Sequence, residues 1–275
     1  MTRRHPPDTK AAKVQLSPQI LDSADEVGEA VADVIVERLS AAVDRPFLLG
    51  CPSGRTAVPV YSALARRAAA GSDLSQLVIV MMDDYVVQTE TGGFRVVDPD
   101  ASYSCQRFAR EDILAPIAEA ARAAGMIAPY RIWTADPADP TEYDQRIADA
   151  GGIDVFLLAS GDSDGHVAFN QPGTGRDART HLVVLGEATR RDNMGTFPEF
   201  TQLDMVPQNG VTVGVDTIAS QSAEAIMILT GDNKREAFAR ITATTAYDAE
   251  WPATIITECR NARIVADRNA ASVRV

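Results

Sequence analysis

The chain has 275 residues, 45% of them hydrophobic, and a formal charge of −12. That length supports a full buried core in one large α/β domain or two small ones. The acidity argues against nucleic acid and anionic membrane surfaces as partners, because both demand basic patches, and no apolar run approaches the ~18 residues of a membrane span.

The opening residues MTRRHPPDTKAAK carry charge without an apolar stretch, so residues 1–17 read as a disordered tail rather than a secretion signal. Residues 18–275 read as one domain. Cys51, Cys105 and Cys259 are odd in number and widely spaced, which fits a reducing cytoplasm and argues against a disulfide framework or a structural zinc site.

In chain order, Ser23 followed by Glu26 offers a capping box, and Val27, Ala30, Val31, Val34 and Ile35 then repeat at helical spacing. PFLLG (46–50) is a short buried strand. It runs into GCPSGRTAVPVY (50–61), a glycine- and hydroxyl-bearing turn that opens a helix marked by Val60, Tyr61, Leu64 and Ala68. Amides at such a turn, with Ser53, Gly54 and Thr56, can hold a phosphate on the positive end of the helix dipole, and Arg55 adds a charge. A strand-to-helix turn needs glycine and a cap in any case, and no GK[ST] follows, so this is no Walker loop.

LVIVMM (77–82) predicts a second strand, ending in Asp83 and Asp84. Adjacent carboxylates point in different directions, so at most one faces a ligand; a solvated acidic loop is the alternative, and metal binding a further one, though hard-cation loops usually carry denser oxygen ligands. A helix is expected over 106–124, stopped by Gly125, and another ends at Gly151–Gly152. DVFLLA (154–159), HLVVLG (181–186), VTVGV (211–215), AIMILT (225–230), TIITEC (254–259) and ARIVAD (262–267) complete the expected strands. Near-continuous apolar strands alternating with helices predict a doubly wound, mostly parallel sheet with helices on both faces.

The turn after DVFLLA reads GDSDGHVAFNQPG (161–173) and brings Asp162, Asp164 and His166 together at a strand's carboxyl end, where α/β proteins bind ligands. An acid two residues from an imidazole fits proton transfer; a plain Asp-Gly turn is the competing reading. GDSDG also satisfies the G-x-S-x-G pattern, but the last histidine, His181, follows Ser163 too closely to complete a hydrolase triad. After AIMILT, GDNKREAF places Lys234 in a first helical turn, where a cation opposes the dipole unless an anion sits there; a merely solvated lysine is the alternative.

Taken together, these segments resemble the glucosamine-6-phosphate deaminase (hexosamine-phosphate isomerase) family, itself similar to 6-phosphogluconolactonases. GCPSGRTAVPVY looks like the family's phosphate loop, VIVMMDDYV like its NMDEYVGL-type segment, and SYS (102–104) like its SY motif. GDSDGHVAFNQPG resembles GxDGHIAFNEPG, and VTVGVDTI with IMILTGDNK resembles two further blocks. The resemblance implies one modified Rossmann-like domain that isomerises an amino-sugar phosphate with loss of ammonia. Asp83 matches the base that moves a proton between C1 and C2, and Asp164 with His166 matches the pair assisting ring opening. Ser53, Gly54, Thr56 and Lys234 match phosphate-binding positions. No metal or organic cofactor is implied, and relatives include both monomers and hexamers, so a homo-oligomer stays open.

Three positions depart from the family pattern. Gln171 replaces its catalytic-site glutamate, Arg55 replaces a glycine of the phosphate loop, and Gly195 stands where an anion-binding arginine is usual. Arg55 is therefore expected to supply the missing charge from the opposite wall. Arg179 and Thr180 persist from the family's allosteric site, but His181 and Val183 replace its basic residues, so that regulation is not expected. Lactone hydrolysis and ligand binding without catalysis are the competing functions; FNQPG disfavours the first, and the survival of Asp83, Asp164 and His166 disfavours the second.

Overall fold

The computed structural model describes residues 15–42 and 45–272. Most of the expected tail lies outside them, whereas Gln15 donates from Nε2 to Thr242 O at 2.6 Å and Leu16 packs against the core. In chain order the elements are β1 (Gln19–Leu21), α1 (Ala24–Ala41), β2 (Phe47–Cys51), α2 (Val58–Ala69), β3 (Leu77–Met81), β4 (Asp83–Gln88) and β5 (Phe94–Val96). There follow α3 (Cys105–Phe108), a π-helical stretch (Ala109–Leu114), α4 (Ala115–Ala123), β6 (Arg131–Trp133), α5 (Pro140–Asp149), β7 (Ile153–Ala159), β8 (His181–Val184) and α6 (Glu187–Thr196). The chain closes with β9 (Asn209–Thr212), α7 (Val215–Gln221), β10 (Ser222–Leu229), α8 (Arg235–Ala243), β11 (Arg263–Asp267) and α9 (Arg268–Ala271).

Seven strands form a wholly parallel sheet in the order β1-β11-β10-β7-β2-β3-β6. Successive side chains on a strand face opposite ways, and here both faces are dry. Phe47, Leu49, Ile79, Val155, Leu157, Ile226 and Ile228 pack under Val27, Val31 and Ile35 of α1, Val60 and Leu64 of α2 and Ile117 of α4. Leu48, Val78, Val80, Phe156, Leu158 and Met227 pack under Tyr143 and Ile147 of α5, Ile218 of α7 and Ile241 of α8. The expected sheet with helices on both faces is what these apolar runs build. The capping box also forms in part: Ser23 Oγ accepts from Glu26 N, and Glu26 reaches back to Asp22 N rather than to Ser23 N.

Three expectations are corrected. HLVV and VT belong to a second, four-stranded antiparallel sheet in the order β5-β4-β9-β8. β8 alternates half-buried and exposed residues, the pattern of a strand covered on one face only. TIITEC is not a strand; Pro252–Glu258 winds as a 3-10 helix, with Thr254 Oγ1 donating to Trp251 O at 2.7 Å. A short apolar run flanked by proline fits either state. The helix expected over 106–124 is interrupted by the π stretch, which ends just before Pro116 of α4, a residue with no N–H to donate.

The two sheets meet at Met82. Its N–H donates to Cys51 O in the parallel sheet, and its carbonyl accepts from Val213 N beyond β9. Asp83 is thus the first residue of the second sheet, directly over the carboxyl ends of the central strands of the first.

Candidate functional site

The loops that leave β2, β3, β7 and β10 at their carboxyl ends enclose a cleft of about 540 Å³, closed on one side by α6. Ser53, Gly54, Arg55, Thr56, Asp83, His166 and Lys234 all line it. Seven of the nine residues singled out from the sequence therefore face one space. Asp164 stands behind His166, and Gln171 lies outside the lining.

The DGH turn is held tightly. Asp164 Oδ1 lies 2.7 Å from His166 Nδ1 and accepts from His166 N at 3.1 Å. Gly161 N donates to His166 O at 2.7 Å. With Nδ1 engaged, Nε2 is the nitrogen left for a ligand. Burial acts to raise the Asp164 carboxyl, but the bonds and charge of His166 outweigh it and leave it lowered. Ser163, the serine of the rejected G-x-S-x-G pattern, is exposed and does not line the cleft.

The two adjacent carboxylates divide as expected. Asp84 turns inward, accepting from the backbone N–H groups of Tyr85, Cys105 and Gln106 at 2.8–3.2 Å. With Ser104 Oγ, which accepts from Arg107 N, it caps α3, which accounts for the SYS segment. Asp83 faces the cleft, 7% exposed. The Cys105 thiol, at the start of the helix that Asp84 caps, donates to Asp83 Oδ1 at 3.5 Å. Burial and the neighbouring Asp84 charge push the Asp83 carboxyl up to about 7, while Cys105 and His166 pull it down. A carboxyl poised there both takes and returns a proton at neutral pH.

Lys234 behaves otherwise than its sequence position implied. Its Nζ donates to Ser160 O at 2.5 Å and to Asp162, whose other oxygen accepts from Asn233 Nδ2 at 2.7 Å. The anion that offsets this lysine is the protein's own carboxylate. Arg55, by contrast, is exposed, and its guanidinium has no hydrogen-bond or ion-pair partner among the described residues. A Cβ added to Gly195 would lie 3.6 Å from its Nη2, so the guanidinium occupies the space beside the glycine.

Gln171 is a brace between the sheets' loops. Its Nε2 donates to Val184 O at 2.9 Å and its Oε1 accepts from Gly186 N at 2.6 Å. Glutamate cannot make the first bond. Gln171→Glu is therefore expected to set a carboxylate against a carbonyl and to lower stability by about 1–3 kcal/mol without gaining turnover, as thermal melts and kinetics would show.

Of α6, only Gly195 stood out in the sequence. Asp192, Asn193 and Thr196 line the cleft, and Thr189 Oγ1 lies 3.4 Å from Asp164 Oδ2. Asp164, His166 and Asp192 bring donor atoms within 4.8 Å of one another, close enough to hold a metal ion. Nothing in the run TRRDNMG singles out Asp192, so only its place in the fold reveals that residue.

A parallel α/β sheet with an acid–base cleft at its carboxyl edge is the architecture of an enzyme acting on a small polar ligand. Residues 22–265 match the family described as glucosamine-6-phosphate isomerases/6-phosphogluconolactonase, and the chain belongs to that family. It is 33% identical over 253 residues to a glucosamine-6-phosphate deaminase of Shouchella clausii, covering 90% of this chain and 94% of the relative. A deaminase of Rhodococcus opacus is 32% identical over 256 residues, covering 92% and 90%. Among solved structures, a monomeric glucosamine-6-phosphate deaminase superposes with a TM-score of 0.77 at 22% identity, covering 94% of this chain and 100% of that one. A 6-phosphogluconolactonase from Leishmania guyanensis gives 0.65 at 16% identity, covering 94% and 100%. These two share the fold.

Proposed function

We propose that the chain is a cytoplasmic aldose–ketose isomerase and deaminase acting on an amino-sugar phosphate of the glucosamine 6-phosphate type. One observation carries the reading: a buried carboxyl held near neutrality, Asp83, shares a single cleft with the Asp164–His166 pair. His166, oriented by Asp164, transfers the proton that opens the sugar ring. Asp83 then takes the proton from C2 and returns it to C1, moving the double bond to the C2–N bond. Water adds to the resulting imine, ammonia leaves, and a ketose phosphate remains. C1 is reduced as C2 is oxidised, and water replaces ammonia at C2, so the sequence balances without an external redox partner or cofactor.

In this reading Ser53, Gly54 and Thr56 hold the phosphate with Arg55, while Lys234 braces the DGH loop through Asp162. Arg55→Ala is expected to weaken phosphate-ester binding by about 10–100-fold with little change in kcat, the loss of one charge-assisted pair. Unchanged KM for phosphorylated sugar would reject that role.

The deciding experiment presents the full chain with amino-sugar phosphates, neutral sugar phosphates, their unphosphorylated forms and 6-phosphogluconolactone. Ammonia, ketose and lactone opening are followed, with the spontaneous lactone rate subtracted. The reading requires ammonia and ketose in equal amounts from an amino-sugar phosphate. Lactone opening without ammonia would instead assign the family's other activity, and ligand-induced stabilisation without any turnover would assign a binding protein.

A further inference from the structure

Resting on the reading above, we infer that Asp192 of α6 selects for a cationic nitrogen on the substrate, so that the cleft takes amino-sugar phosphates in preference to their neutral counterparts. The argument starts from charge. The charged side chains lining the cleft are Arg55, Asp83, Asp162, His166, Asp192 and Lys234. Asp162 and Lys234 satisfy one another, and Asp164 satisfies His166 from behind. That leaves Arg55, whose guanidinium lies beside Gly195 of α6, and two carboxylates, Asp83 and Asp192, without a counter-charge in the lining. A ligand bearing only a phosphate matches the arginine and leaves the carboxylates unmatched. One that also carries an ammonium group satisfies both ends.

Geometry singles out Asp192 over Asp83 for that task. Asp83 is enclosed, and its Oδ1 already accepts from the Cys105 thiol. Asp192 has one oxygen, Oδ2, held at 3.3 Å by Asp162 N, and among the described residues its other oxygen has no partner. Its carboxylate lies within 4.8 Å of one donor atom each of His166 and Asp164, so it borders the acid–base pair. Burial raises the Asp192 carboxyl, opposed by His166, and an ammonium group in contact would relieve that cost. Position 171, where a second carboxylate would stand in a typical relative, holds an amide turned toward Val184 and Gly186. Asp192 is thus the carboxylate free to meet a nitrogen next to the acid–base pair.

The test compares the affinities of the full chain for glucosamine 6-phosphate and glucose 6-phosphate, measured by calorimetry, with ammonia release followed separately. In the unaltered protein the amino compound is expected to bind at least about 10-fold more tightly at low salt, with the preference shrinking as salt rises. Asp192→Asn is expected to cut that preference by about 10–100-fold, while Asp192→Glu retains part of it. An absence of preference in the unaltered chain overturns the inference, and this measurement does not depend on any variant folding. A preference unchanged by Asp192→Asn overturns it too. Preference for the amine without ammonia release would leave the recognition standing and defeat the deaminase reading instead.

Discussion

Asp83→Asn is expected to reduce turnover by about 10³-fold or more while leaving sugar-phosphate binding within a few-fold of normal. The substitution is isosteric, and its amide oxygen still accepts from Cys105, so shape is preserved and only the capacity to take a proton is lost. Solvent exchange at C2 checks it most directly, because that exchange reports the base even where later steps fail. The same carboxyl sets the pH profile. Burial holds its folded value at about 7, well above the usual carboxylate range, so kcat/KM should fall as pH drops below 7 and the base becomes protonated.

Stability runs the other way. Between about pH 4 and pH 7 the folded chain binds a proton at Asp83 that the unfolded chain has released, so stability present below pH 4 is lost as pH rises through 7. Asp83→Asn removes this penalty. The variant should be more stable than the parent at pH 8, by up to about 4 kcal/mol, with the gap closing at pH 4. A catalytically dead but stabilised protein would be the signature of a buried base. An active one would place the proton transfer elsewhere.

Gly161→Ala is expected to lower activity by about 100-fold or more and to destabilise the fold. A Cβ there would sit 2.2 Å from His166 Nδ1 and 2.4 Å from Asp164 Oδ1, distances that no side-chain adjustment absorbs while the pair stays bonded. Either the histidine leaves Asp164 or the end of β7 moves, and overpacking of this kind costs about 1–3 kcal/mol. His166→Ala supplies the control: it should lose similar activity but little stability, because the ring is partly exposed and fixed by that one acid. Full activity in Gly161→Ala would show that the close approach of glycine to imidazole is dispensable.

The candidate site was legible in the sequence where chemistry and backbone geometry coincide. The glycine–acid–glycine–histidine turn after an apolar strand, the Asp83–Asp84 pair ending another, and the hydroxyl-bearing turn after Phe47–Cys51 were all visible as local patterns, and all three meet in one cleft. Lys234 shows the limit of such patterns. The unfavourable cation at a helix start was correctly noted, but whether its counter-ion is a ligand or Asp162 depends on two loops 72 residues apart in sequence.

What the amino-acid order determined by itself was the parallel core, because strands buried on both faces must be apolar at every position and strands of that kind stand out in the sequence. It also determined which residue types are available for proton transfer, since only three histidines occur. Tertiary structure alone decided which strands left that core for the antiparallel sheet, because half-buried strands take their identity from what covers them. It alone turned Gln171 away from the cleft and turned Asp192 into it. Those outcomes depend on where α6 docks, a packing choice made by residues far apart in the chain, and no local spacing encodes it.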